Sequence, residues 1–142
     1  METLMWADLL GVPWELHGKT HRGMDCSTLA EEVLCRLGKT PPPTSPFRLP
    51  DTPGTENEMG SYFEMMEEAY ELVGEDADAA SRAGDLVLAA DRRGIGRHLY
   101  VMVNPDRGTL ITVAHRNGVI AVRRFSISNV VGVYRLREGD TA

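Results

Sequence analysis

The chain has 142 residues, of which 42% are hydrophobic and 25% charged, and its formal net charge is −6. This length and composition predict one globular domain over residues 1–142, and the acidic balance excludes the basic surface on which nucleic-acid binding depends. The sequence has no apolar run long enough for a membrane span, and its acidic start "METLMWADLL" is unlike a signal peptide. We therefore expect synthesis in the cytoplasm without a signal peptide or membrane insertion.

The first half of the chain predicts helices. Apolar residues recur at helical spacing in three segments, and Gly38 is placed to end the second of them. Prolines crowd residues 41–54, which we assign to an extended surface loop within the single domain. The predicted elements are a helix over 3–11, a loop over 14–23, a helix over 26–38 and a helix over 56–73.

From residue 84 the apolar pattern changes to the alternation of β-strands. Asn117-Gly118 is a strong signal for a tight turn, and short turns between successive strands imply antiparallel pairing. The predicted fold class is therefore α+β, with N-terminal helices packed on a five-stranded antiparallel sheet. The five segments are 84–91, 97–104, 108–115, 118–125 and 129–137.

The two cysteines fall at opposite ends of the predicted helix 26–38. Nine residues of helix separate them by about 13 Å, too far for a disulfide, so two free thiols are expected. Cys26 stands at the helix N-terminus, where the backbone dipoles favour a thiolate. Cys35 stands in the last turn, and we expect it to be a small buried residue.

A nucleophilic cysteine needs a base, and histidines are available on the predicted strands. His98 opens the second strand and His115 ends the third, so a hairpin would place both at one end. A helix N-terminus docked at that end would bring Cys26 to His98. This is the Cys–His–polar arrangement used in nucleophilic catalysis.

The residues around Cys26 resemble a known family. The segment "LLGVPWELHGKTHRGMDCSTLAEEVLCRLG" resembles the N-terminal motif of the NlpC/P60 cysteine peptidases, particularly phage-tail and prophage members. Its elements here are the Gly11–Trp14 turn, a glycine-containing loop and Asp25-Cys26-Ser27 opening a helix. "GDLVLA" at residues 84–89 resembles the strand before the catalytic histidine of the family, and His98 matches the place of that histidine.

The resemblance implies a papain-like NlpC/P60 fold and a cysteine endopeptidase or amidase that cuts peptidoglycan stem peptides without a cofactor. Cys26 would be the nucleophile, its N–H an oxyanion donor, and His98 the general base and acid. His115 would be the third catalytic residue, with Thr112 as the alternative. Delivery by a phage tail or a secretion machine would bring the protein to the cell wall. Further candidates at the substrate or oxyanion positions are Trp14, His17, Asp25 and Ser27.

Several residues depart from the family pattern. Trp14 stands where a tyrosine is common, Thr28 replaces a glycine, and Leu99-Tyr100 replaces Val-Gly. These departures leave open a catalytically inactive structural or binding component of a phage tail or secretion machine. An intracellular thiol hydrolase or acyltransferase would use the same residues. A zinc site built from His17, His21, Cys26 and Cys35 is a further alternative, although this spacing is not a standard zinc pattern.

Overall fold

A six-stranded antiparallel sheet with a helix packed against it forms the framework of the protein. The structure is a computed structural model that describes residues 6–15, 19–41, 68–90, 96–114 and 116–137. The sheet order is β3-β8-β4-β5-β6-β7, and β1 and β2 form a separate hairpin. The elements are β1 Lys19–Thr20, β2 Gly23–Met24, α1 Cys26–Arg36, β3 Tyr70–Gly74, β4 Leu86–Ala90, β5 Gly96–Asn104, β6 Thr109–Ala114, β7 Gly118–Arg123 and β8 Val130–Leu136.

All five predicted strands are present as β4 to β8, and every pairing in the sheet is antiparallel. The predicted number of strands was wrong, because β3 adds a sixth. The predicted helix 56–73 was also wrong at its end, since Tyr70–Gly74 is a strand paired with β8. Tyr70 is buried in the core at this edge, so tertiary packing overrides the helical spacing. Residues 42–67, which hold most of that segment and of the proline-rich loop, lie outside the described residues.

The last strand does not pair with the one before it in sequence. β8 crosses back and lies between β3 and β4, with Val133 opposite Val87. β4 is almost entirely buried, so its second edge needs a hydrogen-bonding partner. β8 supplies that partner. The short connection between β7 and β8 gives no sign of this, because short connections usually join strands that pair with each other.

The N-terminal segment contributes less helix than predicted. Of the predicted helix 3–11, the described part contains only a 3₁₀ turn at Ala7–Leu9. The chain then runs beside the start of β7, where Gly11 N–H donates to the Val119 carbonyl at 2.9 Å. Val119 N–H donates in return to the Val12 carbonyl at 2.9 Å. Pairing with the sheet therefore replaces the end of the predicted helix, and the predicted loop 14–23 contains β1 and the first residue of β2.

The helix α1 ends as its sequence predicts. Gly38 has a φ of +80°, and its N–H donates to the Cys35 carbonyl at 3.0 Å. Lys39 N–H donates to the Leu34 carbonyl at 3.0 Å, completing a Schellman motif. The apolar residues of α1 pack into the main core, the larger cluster of buried residues, which includes Leu29, Val33, Leu99, Val101 and Ile111. In the described part of the chain, no helix is long and apolar enough to cross a membrane.

Candidate active site

The N-terminus of α1 is closed by a reciprocal cap. Asp25 Oδ1 accepts a hydrogen bond from Thr28 N–H at 2.9 Å, and Thr28 Oγ1 accepts one from Asp25 N–H at 3.0 Å. Both side chains are buried. Thr28, which departs from the family pattern, thus acts as the third residue of a capping box. The cap holds the first turn, and with it Cys26, in a defined orientation.

The two cysteines have different environments, and both are free thiols. Cys26 is the first residue of α1 and is partly buried against the main core. Cys35 is exposed, which corrects the expectation that it is buried: nine residues of helix turn it to the other side. Partial desolvation and the carboxylates of Glu31 and Glu32 raise the pKa of Cys35. Cys35 therefore lacks an environment that favours a thiolate.

The histidine side of the site lies on β5, against which α1 packs. His98 is half-buried and pairs with Ala89 on β4. Its ring lies 4.9 Å from the ring of Tyr100, centroid to centroid, with the two planes tilted by 45°. Because alternate residues of a strand share a side, His98 and Tyr100 leave β5 together, opposite to Leu99 and Val101.

Tyr100 is the ring neighbour of His98 on β5, and the sequence-based list of site residues omitted it. Burial raises the pKa of Tyr100, and the charge of the Cys26 thiolate raises it further. The signal in the sequence was the spacing of two between His98 and Tyr100 on a predicted strand.

Thr112, the alternative third residue, is buried on β6. Its hydroxyl donates to the Leu99 carbonyl at 2.7 Å, which ties β6 to β5 next to His98. His115, the preferred third residue, and His17, a substrate candidate, lie outside the described residues. The side chain of Ser27 is also outside them.

Trp14 lies beside the start of α1 through its backbone. It forms a parallel bridge with Met24, the residue before Asp25. Met24 N–H donates to the Pro13 carbonyl and Glu15 N–H donates to the Met24 carbonyl, each at 2.9 Å. The Trp14 side chain is half-buried against the main core. The segment Pro13–Glu15 therefore lies alongside Met24, two residues before Cys26.

The Gly-Asp-Leu-Val sequence has a structural explanation. Asp85, 1% exposed, accepts hydrogen bonds from Arg135 Nε at 2.8 Å and Nη2 at 2.7 Å. It also accepts the backbone N–H groups of Ser81 and Arg82, both at 3.0 Å. Asp85 thus joins the turn before β4 to β8. This bonding fixes the position of β4, the neighbour of the strand that bears His98.

The described residues offer no support for the zinc alternative. They contain no group of three His, Cys, Asp or Glu side chains that could hold a metal ion. His21 Nε2 lies 2.7 Å from Asp8 Oδ2, and the same carboxylate is held by Arg36. His21 is therefore part of an ion-pair cluster on the surface.

Comparisons with known proteins identify the fold. No protein-family model matches the sequence, and no curated protein sequence matches it. A solved NlpC/P60 family protein from Bacillus cereus ATCC 10987 matches with a TM-score of 0.51 and 17% identity, over 90% of this chain. This chain spans 36% of that protein. The NlpC/P60 domain of the peptidoglycan hydrolase SagA matches with a TM-score of 0.54 and 16% identity, over 96% of this chain and 99% of that domain. The chain therefore has the NlpC/P60 fold.

Proposed function

We propose that the protein is a cysteine endopeptidase or amidase that hydrolyses amide bonds of peptidoglycan stem peptides. The observation that carries the proposal is the placement of Cys26 at the capped start of α1, which packs on the strand bearing His98 and Tyr100. The substrate class rests on the fold shared with a peptidoglycan hydrolase. A helix N-terminus stabilises the thiolate that such chemistry requires.

The reaction proceeds through a thioester. The Cys26 thiolate attacks the amide carbonyl carbon, and the Cys26 N–H helps to hold the developing oxyanion. The carbon–nitrogen bond breaks, and the His98 imidazolium gives its proton to the leaving amine. His98 then takes a proton from water, which attacks the thioester, and the carboxylic acid leaves as the thiol is restored. Each step uses only side chains and a backbone N–H of this chain and water, with no cofactor.

We assign the third catalytic role to His115, with Thr112 as the competitor. We expect an imidazole to orient the His98 ring better than a hydroxyl would. Replacing His115 by Ala and Thr112 by Val, separately, tests the assignment. A larger fall in kcat for His115→Ala supports His115, and a larger fall for Thr112→Val assigns the role to Thr112.

The direct test is digestion of purified peptidoglycan followed by mass spectrometry of the released fragments. We expect stem-peptide fragments from the wild type and from Cys35→Ala, and none from Cys26→Ala. Cys35 is the matched control, since it is a free thiol on the same helix but exposed. Fragments from Cys26→Ala, or none from a folded wild type, would contradict the proposal. Transfer of the acyl group to an added amine would identify an acyltransferase instead.

A second candidate is a catalytically inactive component of a phage tail or secretion machine. Thr112 favours it, because its hydroxyl donates to a backbone carbonyl and so serves the sheet. The same delivery route would bring an active enzyme to the cell wall. A folded wild type that is inert toward peptidoglycan and binds it without cleavage would support this candidate.

A further inference from the structure

The ring of Tyr100 lies beside the ring of His98, and none of the proposed catalytic roles uses Tyr100. The two rings lie 4.9 Å apart, within the range in which aromatic pairs attract. Tyr100 is itself half-buried and packs against the second core cluster, which is built around Val87, Met102 and Val133. Its ring therefore packs obliquely against the imidazole from a position held by the core.

We propose that Tyr100 is a positioning residue, whose ring holds the His98 imidazole in the orientation that serves Cys26. The inference rests on the proposed function and adds a residue to it. A hydrogen bond from a third residue fixes an imidazole at one nitrogen atom, whereas a ring packed against it limits rotation of the whole imidazole. Both side chains stand on the same strand, two residues apart, which makes their separation more precise than a contact between loops.

The protonation state of Tyr100 suits this role. A tyrosine is neutral at neutral pH, and burial raises the pKa of the Tyr100 hydroxyl further. A neutral phenol does not repel the thiolate as a phenolate would. The packing role itself depends on the ring and not on the hydroxyl, which makes Tyr100→Phe the informative conservative variant.

The experiment measures the alkylation rate of each cysteine by iodoacetamide against pH, with mass spectrometry to assign the sites. Wild type is compared with Tyr100→Phe, Tyr100→Leu and Tyr100→Ala. Leu keeps apolar volume without a flat ring, so the test does not depend on tolerating a cavity. Tyr134→Ala is the matched control, a half-buried tyrosine on β8. Circular dichroism of each variant reports unfolding, because Cys35 is already exposed and its alkylation rate responds little to a loss of structure.

We expect Tyr100→Phe to keep the Cys26 rate within about twofold of wild type, because the ring remains. Tyr100→Leu and Tyr100→Ala should slow Cys26 at neutral pH by about tenfold or more and move its pH profile toward that of Cys35. A Cys26 profile unchanged in the Leu and Ala variants overturns the inference, as does an equal loss in Tyr100→Phe. Wild-type Cys26 no more reactive than Cys35 instead overturns the proposed function, and this inference with it.

Discussion

Asp25 and Thr28 exchange two hydrogen bonds across the first turn of α1, one from each backbone N–H to the other side chain, at 3.0 and 2.9 Å. The Thr28 hydroxyl also donates to the Asp25 carbonyl at 3.1 Å. Cys26 lies between these two residues, so its position depends on the cap. The threonine that departs from the family pattern therefore strengthens the turn that presents the candidate nucleophile.

Removing one half of this cap should destabilise the protein. Thr28→Val keeps the side-chain volume but leaves the buried Asp25 N–H without its acceptor, and we expect a loss of about 1–2 kcal/mol in the free energy of unfolding. Urea denaturation measures it. Thr40→Val, at an exposed position after the helix, is the control and should change stability little. Equal stability of Thr28→Val and wild type would show that the cap contributes nothing.

Asp85 should be among the most costly carboxylates to replace. In Asp85→Asn the Arg135 guanidinium loses a buried charged partner, and we expect a loss of about 3 kcal/mol. Because the Arg135 side chain is partly exposed, water can hydrate it once Asp85 is replaced. The expected loss of stability is therefore at the lower end of the range for broken buried ion pairs. Asp78→Asn, on the surface, serves as the control. A midpoint of chemical denaturation equal to that of the control would refute this account of the Gly-Asp-Leu-Val sequence.

The surface cluster of Asp8 predicts a pH dependence. Hydrogen bonds from Arg36 and His21 hold the pKa of Asp8 far below its ordinary value of 3.8. A lowered pKa in the folded state contributes stability above about pH 3.8, and this contribution falls as the pH drops below that value. Because half of the Asp8 side chain is exposed, we expect a contribution under about 1 kcal/mol.

Asp8→Asn tests this dependence by urea denaturation at about pH 6 and about pH 2.5. The variant should be less stable than wild type at the higher pH, and the difference should shrink at the lower one. Asp106→Asn, in an exposed turn, should show no such change. A difference that grows on acidification would mean that the sign of the linkage is wrong.

Gly118 should tolerate alanine less well than Gly38. Both have positive φ, +72° and +80°, so alanine is strained at each. A Cβ at Gly118 would also lie 2.3 Å from the Val12 carbonyl oxygen, whereas one at Gly38 meets nothing within 4 Å. We expect Gly38→Ala to cost about 1 kcal/mol and Gly118→Ala at least about twice that, by thermal unfolding. If the two substitutions destabilise the protein equally, the backbone at Val12 moves away from the new Cβ at little cost, and the prediction is wrong.

His98 should control the reactivity of Cys26. In wild type we expect iodoacetamide to alkylate Cys26 well below about pH 8, the region where an ordinary thiol is slow. His98→Ala should remove this advantage over Cys35, because the thiolate loses its imidazolium partner. His21→Ala is the control, as His21 is bound to Asp8 on the surface. If Cys26 is still alkylated fast in His98→Ala, then His98 does not control the reactivity of Cys26 and the prediction is wrong.

Local signals predicted much of the framework correctly. The helix start at Cys26, its stop at Gly38 and the turn at Gly118 depend on interactions within a few residues, which the chain carries in its own order. The five strands β4 to β8 follow from alternation for the same reason. The sixth strand depends on pairing with β8, more than fifty residues away, and helical spacing was misleading there.

The sequence by itself determined the helix that starts at Cys26, the five strands β4 to β8, the two free thiols and the place of His98 near the start of a strand. Only the tertiary structure decided that β8 lies beside β4, that Cys35 is exposed and that Tyr100 packs on His98. Capping and turns are set by neighbouring residues, whereas strand order and side-chain contacts across the sheet are set by burial of the whole chain.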